Sequence, residues 1–302
     1  MLSALALLTI PIGIDPEIVK IGDLTLTWHG VFTALGIAVG VFVAVIMGRR
    51  LGFTEDDVYS VALIAIPAAI IGARALFVVE RWGTAIDDWV DIFRINEGGI
   101  SIYGAVLGGM AGGAIYGWVR KLPIRRGLDA SGFGLSLAMG IGRIGDLING
   151  EHFAKLSNLP WAVRYTDINS PSVAAHPLDE CIRGQFVSVE ELCAQHPAVG
   201  YEMVGDFLLF GLLFLAIRYL RRDGVAFFGL LFFYSLMRLG VSELRLDSRE
   251  IIWGLTTPQV TALFVIPLSL LGILYCWRAG RPASETPPAA VAPAPATGPP
   301  QS

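Results

Sequence analysis

The sequence is poor in charged residues and in cysteine. Only 16% of its 302 residues are charged and 54% are hydrophobic, whereas a soluble domain carries about 25% charged residues. The three cysteines form neither a CxxC pair nor a cluster with histidine, so the zinc-site and redox motifs are lacking. A net charge of -4 without a basic block argues against a nucleic-acid partner. The composition therefore predicts an integral membrane protein. The sequence contains no motif for a metal or a cofactor, and none is expected.

Seven stretches are long and apolar enough for membrane helices, which need roughly 20 mostly apolar residues each. They cover residues 28–48, 58–79, 100–119, 129–148, 203–220, 225–242 and 259–277. The third, fourth and sixth contain glycine or polar residues, which in a membrane span usually face the interior of the bundle. We therefore expect an all-α integral membrane protein with about seven transmembrane helices.

The basic residues of the short loops predict the orientation. Arginine and lysine follow the first, third, fifth and seventh stretches, whereas acids dominate after the second and the fourth. Basic loops stay on the cytoplasmic side, so the N-terminus is expected outside and the C-terminus inside. Segment 150–200 is too polar to span and too long for a simple connection. We expect it to form a small extracytoplasmic cap on a transmembrane domain of residues 28–278.

Both ends of the chain are expected to lie outside the bundle. Segment 1–27 begins with a short apolar run that lacks a basic start and a cleavage site, so an interfacial segment is expected rather than a signal peptide. Segment 279–302 is rich in proline and alanine and predicts a disordered cytoplasmic tail. Cys181 and Cys193 lie in the exported segment, where a disulfide and two free thiols are both compatible with the sequence.

Several ionisable residues lie at predicted membrane depth, where each costs about 2.5–3.5 kcal/mol on insertion scales and is a functional candidate. His29 lies at the start of the first stretch, Arg74 lies inside the second, and GRIGDLINGEH and YSLMRLGVSELRLDS contain the others. Apart from Arg74, all are predicted to lie in the outer half of the membrane or at its surface. The residues singled out are His29, Arg74, Arg143, Asp146, Glu151, Arg238, Glu243 and Arg245, with the neutral amide Asn149 among them.

Helical spacing groups some of these candidates. Arg143 and Asp146 are three residues apart, and Tyr234 and Arg238 are four apart, so each pair shares a helix face. Gly142 and Gly145 are expected to leave room beside the first pair. Two arginines that converge form a site for an anionic headgroup, because guanidinium binds phosphate through two hydrogen bonds.

Simpler interpretations of the same residues remain open. Arg245 lies near a helix end, where arginine often extends to the interface. Arg143 can form an ion pair such as one with Glu243, and His29 can be an interfacial residue beside Trp28. Glycines spaced by four in YGAVLGGMAGGAIYG predict close helix packing rather than a function.

Several motifs in sequence order resemble the bacterial prolipoprotein diacylglyceryl transferase family. They are IDPEIVKIGDLTLTWHGV, GARALFVV, EGGISIYGAVLGG, GRIGDLINGE, HPAVGYE, YSLMR and LRLDS. GRIGDLINGE is the most specific of them. The resemblance extends over nearly all of the chain except the C-terminal tail.

The resemblance implies a reaction in the bacterial inner membrane. The lipobox cysteine of a prelipoprotein signal peptide attacks phosphatidylglycerol, a thioether forms and glycerol phosphate leaves. Membrane lipids and these signal peptides are thus the implied partners. The implied catalytic residues are Arg143, Arg238, His29, Tyr103 and Glu243. The implied headgroup-binding residues are Arg143, Asp146, Asn149, Glu151, Tyr234, Arg238 and Arg245. The implied supporting residues are Arg74, Gly104, Gly150 and Glu202.

The chain departs from the usual family pattern at several positions. His29 stands where tyrosine is usual, and Tyr103 stands where histidine is usual. If their helices face each other, the exchange keeps a His–Tyr pair. Asp146 replaces an asparagine, and Ser242 replaces a glutamate. These departures leave the identity of the general base open.

Two rival functions follow from the same residues. One is a catalytically inactive homologue that binds lipid or signal peptide, which the departures keep open. The other is an anion transporter, although the sequence shows no internal repeat of the kind common in transporters.

Overall fold

The computed structural model describes residues 9–22, 24–82, 88–93, 99, 101–175, 194–220, 222–248 and 250–279. For residues 24, 80, 81, 102, 103, 251 and 252 it describes the backbone only. The predicted cytoplasmic tail beyond residue 279, Cys181 and Cys193 lie outside the described residues. The expectations about their structure stay predictions.

The described residues are mainly helical, as predicted. The helices are α1 (Trp28–Arg50), α2 (Glu55–Arg81), α3 (Ile102–Val119), α4 (Ile124–Asn149), α5 (Pro171–Ala175), α6 (Ala198–Leu220), α7 (Val225–Ser242) and α8 (Thr257–Ala279). All except α5 coincide with the seven predicted stretches. Five of the described helices are long and apolar enough to cross a membrane, namely α1, α2, α6, α7 and α8. The multi-pass membrane architecture is thereby confirmed, whereas the count of seven spans stays a prediction.

Short strands occupy the connections at one end of the bundle. Strand β1 (Ile10–Ile12) pairs in parallel with β4 (Val163–Tyr165). The antiparallel pair β2 (Glu17–Ile21) and β3 (Leu24–Thr27) leads into α1, and β5 (Glu250–Ile252) and β6 (Leu255–Thr256) lead into α8. This end, where α1, α6 and α8 begin and α4 and α7 end, is the one that carries most of the predicted site residues.

Glycines allow two helix pairs to pack closely. Helix α1 lies along α4, where a Cβ atom on Gly40 would lie 2.7 Å from the carbonyl oxygen of Gly134. Helix α3 lies along α2, where a Cβ atom on Gly104 would overlap the backbone of Gly72. The close packing predicted from the glycine spacing of the third stretch is confirmed, since only small residues let two backbones approach this far.

Helices α4, α6 and α7 share an apolar core. Phe133 is fully buried there against Leu209, Leu213 and Leu230. At the opposite end from the strands, the buried carboxylate of Asp129 accepts hydrogen bonds from the backbone N–H groups that begin α7. These contacts fix the three helices relative to one another, and α4, α6 and α7 each contribute a charged residue to the site.

Candidate active site

A close approach between two helix ends creates the first part of the site. A Cβ atom on Gly145 would lie 2.8 Å from both the Cα atom of His29 and the carbonyl oxygen of Trp28. Glycine at this position therefore lets the start of α1 lie against the end of α4. Gly142 faces open space instead, so the room expected beside Gly145 is filled by α1, whereas the room beside Gly142 is open.

His29 and Asp146 form a hydrogen-bonded pair, which we call the His29–Asp146 dyad. Nδ1 of His29 bonds Oδ1 of Asp146, and Nη1 of Arg143 lies 2.9 Å from the other carboxylate oxygen. Asp146 is buried, whereas 43% of the His29 side chain is exposed. A carboxylate can only accept, so the proton lies on Nδ1 and Nε2 is the basic nitrogen. The dyad thus offers a base that is open to a substrate.

Two further residues of the GRIGDLINGE motif, Asn149 and Glu151, lie beside the start of α1. The buried amide of Asn149 accepts a hydrogen bond from the backbone N–H of His29 through Oδ1, at 3.3 Å. Its Nδ2 donates to Oε1 of Glu151 at 2.7 Å. The other carboxylate oxygen of Glu151 lies 3.9 Å from Nδ1 of His29. Asn149 therefore joins the end of α4 to the imidazole-bearing helix.

The segment after α4 caps the C-terminal end of that helix. Gly150 adopts the left-handed conformation with φ of 69°. The Ser172 hydroxyl donates to the carbonyl of Gly150 at 2.7 Å, and the Tyr165 hydroxyl donates to the carbonyl of Leu147 at 2.7 Å. These bonds satisfy carbonyls that a helix end leaves without an internal partner. They fix the helix end that carries Asp146 and Asn149.

Three arginines surround a fully buried glutamate, and we call this group the arginine cluster. Nη2 of Arg143 lies 2.8 Å from Oε2 of Glu202, and Nη1 of Arg245 lies 3.1 Å from Oε1. Arg238 also bonds Oε1. The Glu202 side chain is 0% exposed, and removing one partner of a buried ion pair costs about 3–5 kcal/mol. Glu202 therefore holds guanidinium groups from three separate parts of the chain together.

The interpretation of Arg245 as a residue that extends to the interface is wrong. Arg245 is buried and donates to Asp247 through Nε at 2.9 Å as well as to Glu202. The backbone around it pairs with the segment after α4, because Leu246 N–H donates to Phe153 and Lys155 N–H donates to Leu244. This pairing turns the guanidinium inward.

The alternative interpretation of Arg143 as part of a structural ion pair is confirmed, but Glu243 is not its partner. Arg143 uses Asp146 and Glu202 instead. Glu243 caps the end of α7 and accepts a hydrogen bond from Gln259 of α8. The two side chains belong to different contacts because Glu243 faces α8 rather than α4.

Two of the clustered arginines keep part of their surface accessible. The side chains of Arg143 and Arg238 are 18% and 13% exposed. Tyr234 lies one turn before Arg238 on the same face of α7. A guanidinium has five N–H donors, so these exposed edges can donate to a bound anion without leaving Glu202.

Other predicted residues lie elsewhere or outside the description. Arg74 donates to the backbone carbonyls of Ile92 and Gly99, at 2.8 and 2.6 Å, and so holds the α2–α3 connection. The Tyr103 side chain is outside the described residues. Because α1 packs mainly along α4 and α3 along α2, the proposed His29–Tyr103 pair stays a prediction.

The sequence analysis missed three polar residues of this region. His152 and Asp247 bond each other at 2.8 Å, and Asp206 is fully buried one turn after Glu202. Among the described residues, no hydrogen-bond partner faces the Asp206 carboxyl. Asp206 was detectable, because it is an acid within the fifth apolar stretch. His152 and Asp247 lie inside the quoted motifs but carry no distinctive spacing.

One group of side chains has the spacing of a metal site. Ligand atoms of His29, Asp146 and Glu151 lie within 4.8 Å of one another. Arg143 and Asn149 already donate hydrogen bonds to the two carboxylates, and a guanidinium repels a cation. We therefore interpret the group as a hydrogen-bond network.

The Asp247 carboxyl makes the stability of this region dependent on pH. Burial alone would raise its pKa, but hydrogen bonds with His152 and Arg245 outweigh burial and hold the pKa well below its ordinary value of 3.8. A lowered pKa stabilises the fold fully above the ordinary value, and the contribution is lost as pH falls below it.

We therefore expect acid to destabilise the wild-type protein more than the Asp247→Asn variant. Between about pH 5 and pH 3 the wild type should lose about 1 kcal/mol that the variant does not lose. Melting temperature in detergent measures the difference, with the exposed Asp88→Asn as a control that follows the wild type. Parallel plots of melting temperature against pH for the wild type and Asp247→Asn would contradict the expectation.

Comparisons with known proteins identify similar sequences. The family model described as prolipoprotein diacylglyceryl transferase matches residues 16–276. A relative from Symbiobacterium thermophilum is 32% identical over 90% of this chain and 96% of its own length. A relative from Nostoc is 30% identical over 91% and 94%, and one from Clostridioides difficile is 29% identical over 82% and 90%. Each relative is named phosphatidylglycerol–prolipoprotein diacylglyceryl transferase.

Proposed function

The chain belongs to the prolipoprotein diacylglyceryl transferase family, and we propose that its arginine cluster binds the lipid phosphate while His29 accepts the thiol proton. The family and the relatives' names establish the reaction class. The protein transfers the diacylglyceryl group of phosphatidylglycerol to prolipoproteins. The assignment of roles to individual residues is the proposal argued below.

The observation that carries these roles is the position of the arginine cluster beside the dyad. Arg143 belongs to both, because it bonds Asp146 and Glu202 at the same time. A phosphate at the exposed edges of Arg143 and Arg238 therefore lies close to the imidazole of His29. The three guanidinium groups are balanced by the carboxylates of Glu202, Asp146 and Asp247. Recognition of the phosphate then depends on directed N–H donors rather than on net charge.

The chemistry explains why cations and a base are needed together. The thiol sulfur attacks the glycerol carbon that bears the phosphate, a C–S bond forms and the C–O bond breaks. The electron pair of that bond leaves on the oxygen of glycerol phosphate. Negative charge increases there in the transition state, so arginine donors stabilise it more than the ground state. A thiol with a pKa of about 8.5 reacts as the thiolate, and Nε2 of His29 takes its proton.

The other predicted site residues have supporting roles in this proposal. Asp146 orients His29, and Asn149 holds the start of α1 against α4. Tyr234 and Glu151 are proposed to contact the headgroup from either side. Glu243 bonds Gln259, which favours His29 over Glu243 as the base.

We also propose how the protein lies in the bacterial inner membrane. All seven long helices cross it, with the N-terminus outside and the C-terminus inside. Support comes from Arg49 and Arg50 in the last turn of α1 and from Arg120 and Lys121 directly after α3, all at the end opposite the dyad. Segment 150–200 then forms an extracytoplasmic cap over the site. Both substrates, phosphatidylglycerol and the signal peptide with its lipobox cysteine, reach the site from the outer leaflet.

A mass assay tests the proposed reaction. The purified protein in detergent is given phosphatidylglycerol and a synthetic lipobox peptide, and the peptide mass is followed. We expect the mass to rise by one diacylglyceryl group. Phosphatidylcholine in place of phosphatidylglycerol, or serine in place of the peptide cysteine, should give no increment. An unchanged mass with both substrates bound would favour the inactive homologue.

A further inference from the structure

We propose that His152 is a positioning residue that holds Asp146, and through Asp146 the imidazole of His29, in the orientation that accepts the thiol proton. The inference rests on the proposed role of His29 as the base. It adds a second histidine to the site, from the segment that follows α4.

His152 lies between two carboxylates from different parts of the chain. Its Nε2 is 3.7 Å from Oδ2 of Asp146, and its Nδ1 is 2.8 Å from Oδ2 of Asp247. Nη2 of Arg245 is also 2.8 Å from Nδ1. The imidazole thus connects the end of α4 with the segment after α7.

Nε2 of His152 faces Asp146, and the position of the ring protons determines whether this nitrogen is a donor. If Nδ1 accepts a hydrogen bond from Arg245, the single proton of the neutral ring lies on Nε2. If the ring is charged, both nitrogens carry protons and Nδ1 donates to Asp247. The remaining neutral tautomer would donate from Nδ1 to Asp247, but it would place that N–H against Arg245 and a lone pair against Asp146. An N–H points towards Asp146 in the first two of these three states, of which the charged ring also donates to Asp247.

This donor matters because residue 146 is an aspartate. A carboxylate has only acceptors, whereas an asparagine carries its own donor. Oδ1 of Asp146 bonds His29, and Oδ2 faces Arg143 and His152. Arg143 also donates to Glu202 and is proposed to donate to the phosphate, so the N–H of His152, 3.7 Å from Oδ2, gives that oxygen a second electrostatic partner during the reaction. Without it the carboxylate can rotate and release the His29 ring.

Kinetics of His152→Ala and His152→Gln provide the first test. Misplacing a catalytic group costs roughly 10- to 100-fold, so His152→Ala should lower kcat by about that much. KM for phosphatidylglycerol should change little, because His152 does not contact the lipid. Glutamine offers an amide N–H near the position of Nε2 and should recover most of the activity. Melting temperatures establish that both variants fold.

A selenocysteine peptide separates positioning of the base from a general structural role. A selenol is a stronger acid than a thiol, so this nucleophile is already deprotonated at neutral pH. We expect it to recover most of the activity lost in His152→Ala and in His29→Ala, but not in Arg143→Ala. A normal kcat in His152→Ala, or a loss that selenocysteine does not recover, would overturn the inference about His152. No recovery in His29→Ala would instead overturn the proposed base.

Discussion

Replacing Arg143 by alanine is expected to lower kcat/KM for diacylglyceryl transfer by roughly 10²–10³-fold, the usual effect of removing one transition-state donor. Arg143 is the residue that joins the dyad to the arginine cluster, with contacts of 2.9 Å to Asp146 and 2.8 Å to Glu202. Its loss removes a donor to the leaving phosphate and weakens the support of Asp146. Both effects act on the transition state, so kcat should fall more than affinity for the lipid.

Two control variants test whether the loss of activity is specific to the guanidinium group of Arg143. Arg143→Lys keeps the charge but loses the paired N–H donors, so its activity should be intermediate. Arg50→Ala removes an exposed arginine at the opposite end of α1 and should behave as the wild type. Arg238 and Arg245 still hold Glu202 in Arg143→Ala, so the melting temperature should show a folded protein. A folded Arg143→Ala with normal kcat/KM would rule out the proposed role.

The His29→Ala variant should lose about 10²–10⁴-fold in kcat with a cysteine peptide, which is the usual contribution of a general base. The reason is the geometry of the dyad. Nδ1 is occupied by the buried Asp146, so Nε2 of the partly exposed ring is left to accept the proton. The mass assay with the purified variant measures the loss.

Companion variants distinguish the base from its surroundings. Thr33→Ala removes a polar side chain one turn further along α1 and should leave kcat unchanged. Tyr103→Phe removes a hydroxyl where the family usually has histidine, and its effect should be milder than that of His29→Ala. Full activity in His29→Ala would leave the dyad without a catalytic function. A larger loss in Tyr103→Phe would move the base to that position.

The sequence alone predicts the membrane architecture because hydrophobic length is a local property. The stretch at 28–48 corresponds to α1, and that at 203–220 lies within α6. Glycine spacing in the third stretch likewise predicts close helix packing, and the structure shows it at Gly104, against α2. Each of these inferences needs only residues that are neighbours along one helix.

The sequence also identifies most of the polar residues of the site. Arg143, Asp146 and Arg238 are conspicuous because charged groups are costly in a bilayer. The family resemblance adds Glu202, which the pattern of charge alone does not distinguish from other acids. Which side chains these residues contact within the protein is a separate question, which depends on the fold.

Only the tertiary structure decides the contacts, since they join residues far apart in the chain. His29 and Asp146 are separated by 117 positions, and Glu202 and Arg245 by 43. Whether two such side chains meet depends on how each helix is rotated and where it crosses its neighbour, which spacing within one helix does not specify. The backbone pairing that turns Arg245 inward and the position of His152 between two carboxylates are set in this way.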